Sequence, residues 1–400
     1  MVGVDQAMSG ALDWAGSGLA YLTGPIDGKP DFSRAAVLAE ARRVNTDIAG
    51  VLGVEVDAAA MLAGRAAILG LTRRGRISAG GATRLLRTTD GWCALALPRE
   101  DDVAALPALM EVDTVTGDTW TALSHWAATC STDHVVERAQ LLDVAVAALG
   151  EAAAEPPTVR RCGTSTGSRW ADGLLVADLS SLWAGPLCGQ LLARAGAVVV
   201  KVESPSRPDG TRRGEPAFFD WMNAGKLSYC VDFDGESDAL HRLLDAADIV
   251  IEGSRPAALR RRGLSAEDLA GRAGRIWLRI SGYRDQPDRP AFGDDAAVAG
   301  GLVGGGVDGP VFCGDAIADP LTGLEAARAV GESLRRGGGE VVEVSMAQVA
   351  ARYAGLTQSP DSDAPAEAPA LPPAVPPASP LGADNAVVEL LVSERLCAPC

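Results

Sequence analysis

From Leu174 onward, short apolar runs and helical periods take turns along the chain. Leu174–Leu179 (LLVADL) and Ala197–Val202 (AVVVKV) are continuous and rich in aliphatic residues, the pattern of strands buried on both faces of a parallel sheet. Leu227–Phe233, Ile249–Ile251 and Ile276–Ile280 supply further strands, and Ala184–Arg194, Asp238–Ala246, Ala257–Arg262 and Ala266–Gly271 read as the helices between them. This rhythm predicts right-handed βαβ units, hence an α/β fold with a doubly wound, largely parallel sheet. Further on, the helical run Leu324, Ala327, Val330, Leu334 ends at three glycines, Gly337–Gly339, and Glu340–Tyr353 reads as a strand passing into a helix.

The first half has a different pattern. Residues 1–80 are mainly helical, with apolar residues at helical spacing in Ala35–Val44 and Ala58–Leu71 and a break at Thr23–Pro30. Thr72–Arg87 reads as a basic, glycine-containing loop. Thr89-Asp90-Gly91 turns into a strand at Trp92–Pro98, and Asp101–Met110, Thr119–Cys130 and His134–Leu149 read as short helices. A smaller mixed α+β domain is expected here. Glu151–Gly173, rich in Ala, Pro, Gly and Ser, reads as a linker. The expected division is therefore 1–150, a linker at 151–173, a large domain at 174–356, a Pro/Ala-rich linker at 357–381 and a C-terminal segment at 382–400. Pro360–Pro380 holds eight prolines among Ala and Ser, which predicts an extended, mobile arm before a closing helix in Gly382–Leu396.

Composition narrows the function classes. With 47% hydrophobic and 22% charged residues, 400 residues suit a globular chain of two lobes. A net charge of −16 argues against a general nucleic-acid surface. Arginines nevertheless cluster at Arg207–Arg213 and Arg255–Arg262, where an anionic small molecule could bind. No apolar run approaches the roughly 18 residues of a membrane helix, and MVGVDQAMSG lacks the features of a secretory signal. Eight scattered cysteines suit a reducing cytoplasm, and the CxxC at Cys397–Cys400 has no strand before it. Three histidines, His125, His134 and His241, have no metal-ligand spacing, so no metal is expected. Neither GxGxxG nor GxxxxGK[ST] occurs. A ligand is still expected at the carboxyl ends of the strands, in Ser180–Pro186, Ser204–Pro216 and Ser281–Asp295.

The candidate for chemistry is Gly314–Gly323 (GDAIADPLTG), which sets Asp319 where a turn enters a helix. Asp followed by Pro reads most simply as an N-cap and first helical residue. A nucleophilic carboxylate is the sharper reading.

Its surroundings carry a resemblance. Asp178-Leu179-Ser180 with Ala184-Gly185-Pro186, Gly196-Ala197 through Glu203, Asp209–Arg212, Asn223–Lys226 with Asp232, Glu252–Gly263, Ile280–Tyr283, and Ile317-Ala318-Asp319 with Thr322-Gly323 follow one another as seven ordered segments. Together they resemble the family III CoA-transferases of CaiB/BaiF type, the superfamily of formyl-CoA transferase and α-methylacyl-CoA racemase. The first half resembles a partial, degenerate copy: Ser17-Gly18-Leu19, Thr23-Gly24 and Asp27-Gly28 are similar to a family segment that normally lies just before the catalytic loop, and Leu85–Leu97 to its small-domain strand. Gly301-Leu302 and Asp308-Gly309-Pro310 repeat the first theme, and Pro380–Asn385 resembles the family's closing segment.

The resemblance implies an acyl-CoA:carboxylate CoA-transferase in which Asp319 forms a covalent aspartyl intermediate. Coenzyme A and acyl-CoA would be substrates, not permanently bound cofactors, and a carboxylic acid would be the acceptor. Helix-start N–H groups would favour an ionised Asp319, and Gly80 and Gly81 could help hold developing oxyanions. Arg212 and Arg261 match the family's CoA contacts, with Asn223 and Lys226 as further candidates; Gly253-Ser254 stands where the family has an Asn-Phe pair. The racemase branch carries a histidine in GHD, but Phe292-Gly293-Asp294-Asp295 has none, so isomerisation would need Asp294 as base. A catalytically degenerate CoA-binding partner and a thioester hydrolase are the other readings. The family's interlocked dimers imply a cytoplasmic homo-oligomer, or one chain in which the extra copy fills the partner's place.

Overall fold

The computed structural model describes residues 2–397 apart from 254, 270, 307 and 308. Ser254, Asp308 and Cys400, singled out above, lie outside the described residues. Four helices come first: α1 (Val2–Gly16), α2 (Leu19–Leu22), α3 (Ala36–Leu52) and α4 (Ala58–Leu69). A small lobe follows, with β1 (Thr83–Arg87), β2 (Trp92–Ala96), α5 (Glu100–Ala104), α6 (Leu106–Met110), α7 (Thr119–Ala127), α8 (Thr132–Leu141) and β3 (Val146–Ala148). The next stretch alternates through β4 (Thr158–Arg161), β5 (Leu175–Asp178), α9 (Ala184–Arg194), β6 (Val198–Glu203), α10 (Pro216–Asn223) and β7 (Leu227–Cys230). It continues with α11 (Ser237–Ala246), β8 (Ile249–Glu252), α12 (Pro256–Arg260) and β9 (Ile276–Ser281). Last come α13 (Gly293–Ala299), the hairpin β10 (Val303–Gly306) and β11 (Gly309–Phe312), α14 (Ala318–Arg335), β12 (Glu340–Ser345), α15 (Met346–Ala354) and α16 (Asn385–Cys397).

The expected doubly wound sheet is present. Seven strands run in the order β4-β12-β9-β8-β5-β6-β7, parallel except for β4, which joins β12 antiparallel at one edge. The chain leaves β5 toward β6 and β7, then crosses back to β8 and β9 on its other side. The order therefore reverses at β5/β8, where the diverging connections open a crevice at the strands' carboxyl ends.

The first half is not one unit apart from this sheet. Trp14, Leu38, Ile48 and Leu62 share a continuous apolar core with Leu187, Leu324, Val342 and Tyr353, and α14 packs against both α3 and α9. The approach of α14 to the end of α3 is close enough that a Cβ on Gly331 would lie 2.4 Å from Val51. Arg34 fastens the same region by donating to the carbonyls of Val303, Gly301 and Ala354. Among the described residues of the first half, the stretch around β1-β2-β3 and α5–α8 keeps a core of its own, around Leu95, Leu106, Leu109 and Val146. Helical periodicity reports that a face is buried but not against which partner, so a boundary drawn at 151–173 missed this core.

Other expectations also shift. The 151–173 stretch contributes β4 instead of serving only as a linker. His134–Leu149 divides into α8 and β3, because Asp143 takes a left-handed φ of 60° that a helix cannot continue through. Residues 83–87 of the expected basic loop pair with β2 as a strand. Ala266–Gly271 is turns, not helix, over its described residues. The proline-rich arm is extended, as its composition predicts, but it is docked. Ser359, Glu367 and Ala378 donate backbone N–H groups to Ser33, Ala15 and Asp220, and Ala364, Ala366 and Val375 lie on the main core. The closing helix expected in Gly382–Leu396 is α16.

Candidate active site

α14 begins at Ala318, with Ile317 in the cap position and no side-chain cap. Asp319 is the second helical residue, so the expected N-cap role is not the one it takes. Its N–H bonds the Ala316 carbonyl at 2.9 Å, and Pro320, which has no N–H to offer, sits harmlessly in the first turn. The turn before the helix is tight: Gly314 has φ 67° and Ala316 has φ 43°, a left-handed conformation an L-alanine rarely adopts.

The Asp319 carboxylate fits against Gly293, the first residue of α13. A Cβ there would stand 2.4 Å from Asp319 Oδ2 and 2.3 Å from the Ala316 oxygen, so only glycine lets the two segments meet. Asp294 holds the turn from the other side, its Oδ1 accepting the Ala316 N–H at 3.0 Å. The tip of the 78–83 turn reaches the same carboxylate: Thr83 Oγ1 donates to Asp294 Oδ2 at 3.4 Å, and the Ser78 hydroxyl also bonds Asp294. Asp315 takes both its oxygens to Arg65 Nη1, at 2.7 and 2.8 Å. The Arg65 guanidinium lies 5.5 Å from the ring centres of Trp183 and Phe218, of which Trp183 belongs to the β5–α9 connection at the switch point.

Three carboxylates thus share one guanidinium. Burial, the largest cause, pushes Asp319 up to about 7; Asp294 and Asp315 push the same way, while Arg65 and the Gly293 backbone oppose them. Asp294 is pushed up to about 6 by burial and Asp315, and Asp315 itself is raised by burial against the pull of Arg65. Asp295, fully buried, is pushed up to about 8 by burial while its Oδ1 accepts the Phe292 N–H. The expectation that helix-start N–H groups leave Asp319 readily ionised is therefore corrected: desolvation outweighs them. Asp319 keeps a partly exposed edge, and beside it the buried Trp183 Nε1 and Thr322 Oγ1, one helical turn on, have no protein partner.

The other candidate residues lie elsewhere. Lys226 is 3% exposed and donates to Asp178 Oδ2, the Pro186 carbonyl and Asn223 Oδ1, which uses all three of its protons. Asn223 spends its amide on the Phe219 carbonyl. These two close a buried network in which the Lys226 ammonium and the Asn223 amide are already paired. Arg212 is paired with the buried Glu203 at 2.6 Å and stacked 4.2 Å from the Phe219 ring centre. Arg261, in the turn after α12, is exposed. A Cβ on Gly80 would lie 3.8 Å from Arg65 Nη2, and one on Gly81 2.8 Å from Arg74 Nη1. The sequence reading missed Arg65, Ser78 and Thr83. Nothing local marks an arginine inside an alanine-rich helix as a neighbour of residue 315.

A cavity of about 280 Å³ lies away from Asp319, on the small lobe, between Arg84, Arg87, Trp92 and Ser124. Among the described residues no cluster of His, Cys, Asp and Glu could hold a metal ion, and no helix is long and apolar enough to cross a membrane.

The sequence profile of CoA-transferase family III matches residues 172–378, more than half of the chain. The chain belongs to CoA-transferase family III. It is similar to the succinyl-CoA–D-citramalate CoA-transferase of Chloroflexus aurantiacus, 33% identical over 195 residues that cover 44% of this chain and 48% of that protein. The succinate–glutarate CoA-transferase of Agrobacterium fabrum is 32% identical over 203 residues, covering 44% and 51%. Among solved structures, a CaiB/BaiF family protein from Brucella suis matches at 30% identity with a TM-score of 0.41, over 46% of this chain and 54% of that one. The family III chain spans about half the length of the curated relatives it matches.

Proposed function

We propose that the protein is an acyl-CoA:carboxylate CoA-transferase whose nucleophile is Asp319. The observation that carries this reading is a partly exposed aspartate whose carboxylate is fixed against Gly293 at the start of α14 and surrounded by groups that govern its charge. An Asp319 oxygen attacks the thioester carbonyl carbon, the C–S bond breaks, and a mixed anhydride forms as CoA leaves as thiolate. The thiolate attacks the Asp319 carbonyl carbon of the anhydride, releasing the donor acid and leaving an aspartyl-CoA thioester. An acceptor carboxylate repeats the two steps in reverse, so Asp319 returns as a carboxylate and the acceptor leaves as its CoA ester. One difficult exchange becomes several easier ones. The exposed Arg261, in the turn after α12, is a cation open to CoA phosphates, while Arg212 is already paired.

Incubating the protein with an acyl-CoA donor and an acid acceptor tests this. Transfer to the acceptor, an Asp319 adduct trapped by hydroxylamine and detected by mass, and a loss of at least about 10³-fold in Asp319→Asn are expected. CoA release that ignores every acceptor would favour a hydrolase and overturn the reading. An α-proton exchange is the second reading, favoured by the elevated Asp294 beside Asp319. Deuterium entering the substrate α-carbon from D2O, with no CoA transfer, would select it.

A further inference from the structure

We infer that the catalytic site is completed within one chain, with Arg65 of the first half acting in cis as the positioning residue for Asp319 through Asp315. This rests on the reading of Asp319 as the nucleophile.

The geometry begins with α4. Asp57 caps this helix by accepting the N–H groups of Ala59 and Ala60 at 2.9 and 3.3 Å. Its backbone is pressed so close to Trp221 that a Cβ on Gly64 would lie 2.8 Å from the indole. Arg65, the next residue, therefore projects from a fixed stem. Both oxygens of Asp315 hold its guanidinium, and Trp183 and Phe218 flank it. Asp315 lies four residues before Asp319, across the strained Ala316, so the ion pair fixes the turn that aims the nucleophile. The 78–83 turn supplies Ser78 and Thr83 to Asp294, which holds Ala316 from the opposite side. Thr23, also of the first half, accepts the Gly314 N–H at 3.0 Å. The nucleophile's loop is thus held at Gly314, Asp315 and Asp294 by residues numbered below 90 of the same chain.

The charges acting on Asp319 are Arg65, Asp294 and Asp315. Arg65 is on α4, Asp294 and Asp295 on α13, Asp315 in the preceding turn, and Arg74 stands beside Gly81 in the small-lobe loop. On α3 and α15, Glu40, Arg43 and Arg352 act around Glu325, nearly two turns further along α14, and Arg194 of α9 donates to the Glu55 carbonyl. Arg65 is the cation placed to favour ionised Asp319, so its loss should move the pH at which Asp319 ionises upward.

Two variants, Arg65→Met and Asp319→Asn, test this when carried on differently tagged chains and assayed alone, mixed and coexpressed. In-cis assembly predicts that mixed chains show only the average of the two parents, that is, the residual activity of the Arg65→Met chains. Recovery toward about one quarter of wild-type transfer, the yield of randomly mixed dimers with sites shared between chains, would overturn it. The positioning role predicts that Arg65→Met lowers kcat/KM about tenfold below pH 7 and less above pH 8, with Arg65→Lys recovering most of the loss. A loss equal at every pH would remove that role. Labelling of Asp319 by a water-soluble carbodiimide, read by mass against pH, needs no turnover. Its midpoint should rise in Arg65→Met, and an unmoved midpoint overturns the inference even if wild-type protein shows no transfer and the proposed function itself fails.

Discussion

Two buried groups of charges lie at the carboxyl side of the sheet, and they are built on opposite terms. Around β5 and β6, the carboxylates of Asp178, Asp209 and Glu203 face Lys226, Lys201 and Arg212, each acid with its own cation at 2.6 to 2.9 Å. Despite deep burial, the cations and hydrogen bonds hold Asp178 and Asp209 below the usual carboxylate range. At the head of α14, Asp294, Asp315 and Asp319 share Arg65, and all three are raised. In a balanced, saturated network each charge already has a partner. An underpaid one leaves carboxylates whose charge can change near neutral pH, as a nucleophile or base requires.

The sharpest way to break the comparison is Lys226→Met. It strands Asp178, whose remaining bonds include the short contact from the Ser180 hydroxyl. A loss of about 3–5 kcal/mol in urea unfolding is expected, as for removing one partner of a buried pair. A KM effect for CoA with unchanged stability would instead return Lys226 to the binding site.

Gly293→Ala tests the other group. Its methyl meets a backbone carbonyl and the Asp319 carboxylate at once, so the α13–α14 contact must open. We expect a loss of about 1–3 kcal/mol together with collapse of kcat. Activity retained at wild-type level would show that the Asp319 placement is not needed.

The smallest effect concerns pH. The folded value of about 7 for Asp319 lies above its ordinary 3.8, so folding binds a proton the unfolded chain has released. Stability from this group is present below pH 3.8, falls as pH rises between 3.8 and about 7, and is lost above that. Asp319→Asn removes the dependence. The variant should match wild type near pH 4 and exceed it by about 1–2 kcal/mol at pH 8, a figure discounted for the exposed edge and shared charge. Equal unfolding curves at both pH values would mean Asp319 is not desolvated.

Much was legible beforehand. The aliphatic runs at Leu174–Leu179 and Ala197–Val202 read as parallel strands because burial on both faces removes the polar alternation that other strands show. Asp319 stood out because the series of segments before it had an order, not because of its own neighbours.

By itself, the sequence determined the doubly wound sheet, the family resemblance and Asp319 as the residue to examine, since each is written in local periodicity or in ordered short segments. Tertiary structure alone decided that α3 and α4 join the large domain's core, that Lys226 and Asn223 are buried and paired, and that Arg65 stands 250 residues away in sequence yet 2.7 Å from Asp315. The physical reason is that a charged side chain's role depends on how many partners reach it and how much water is excluded. Neither quantity exists until distant segments have packed.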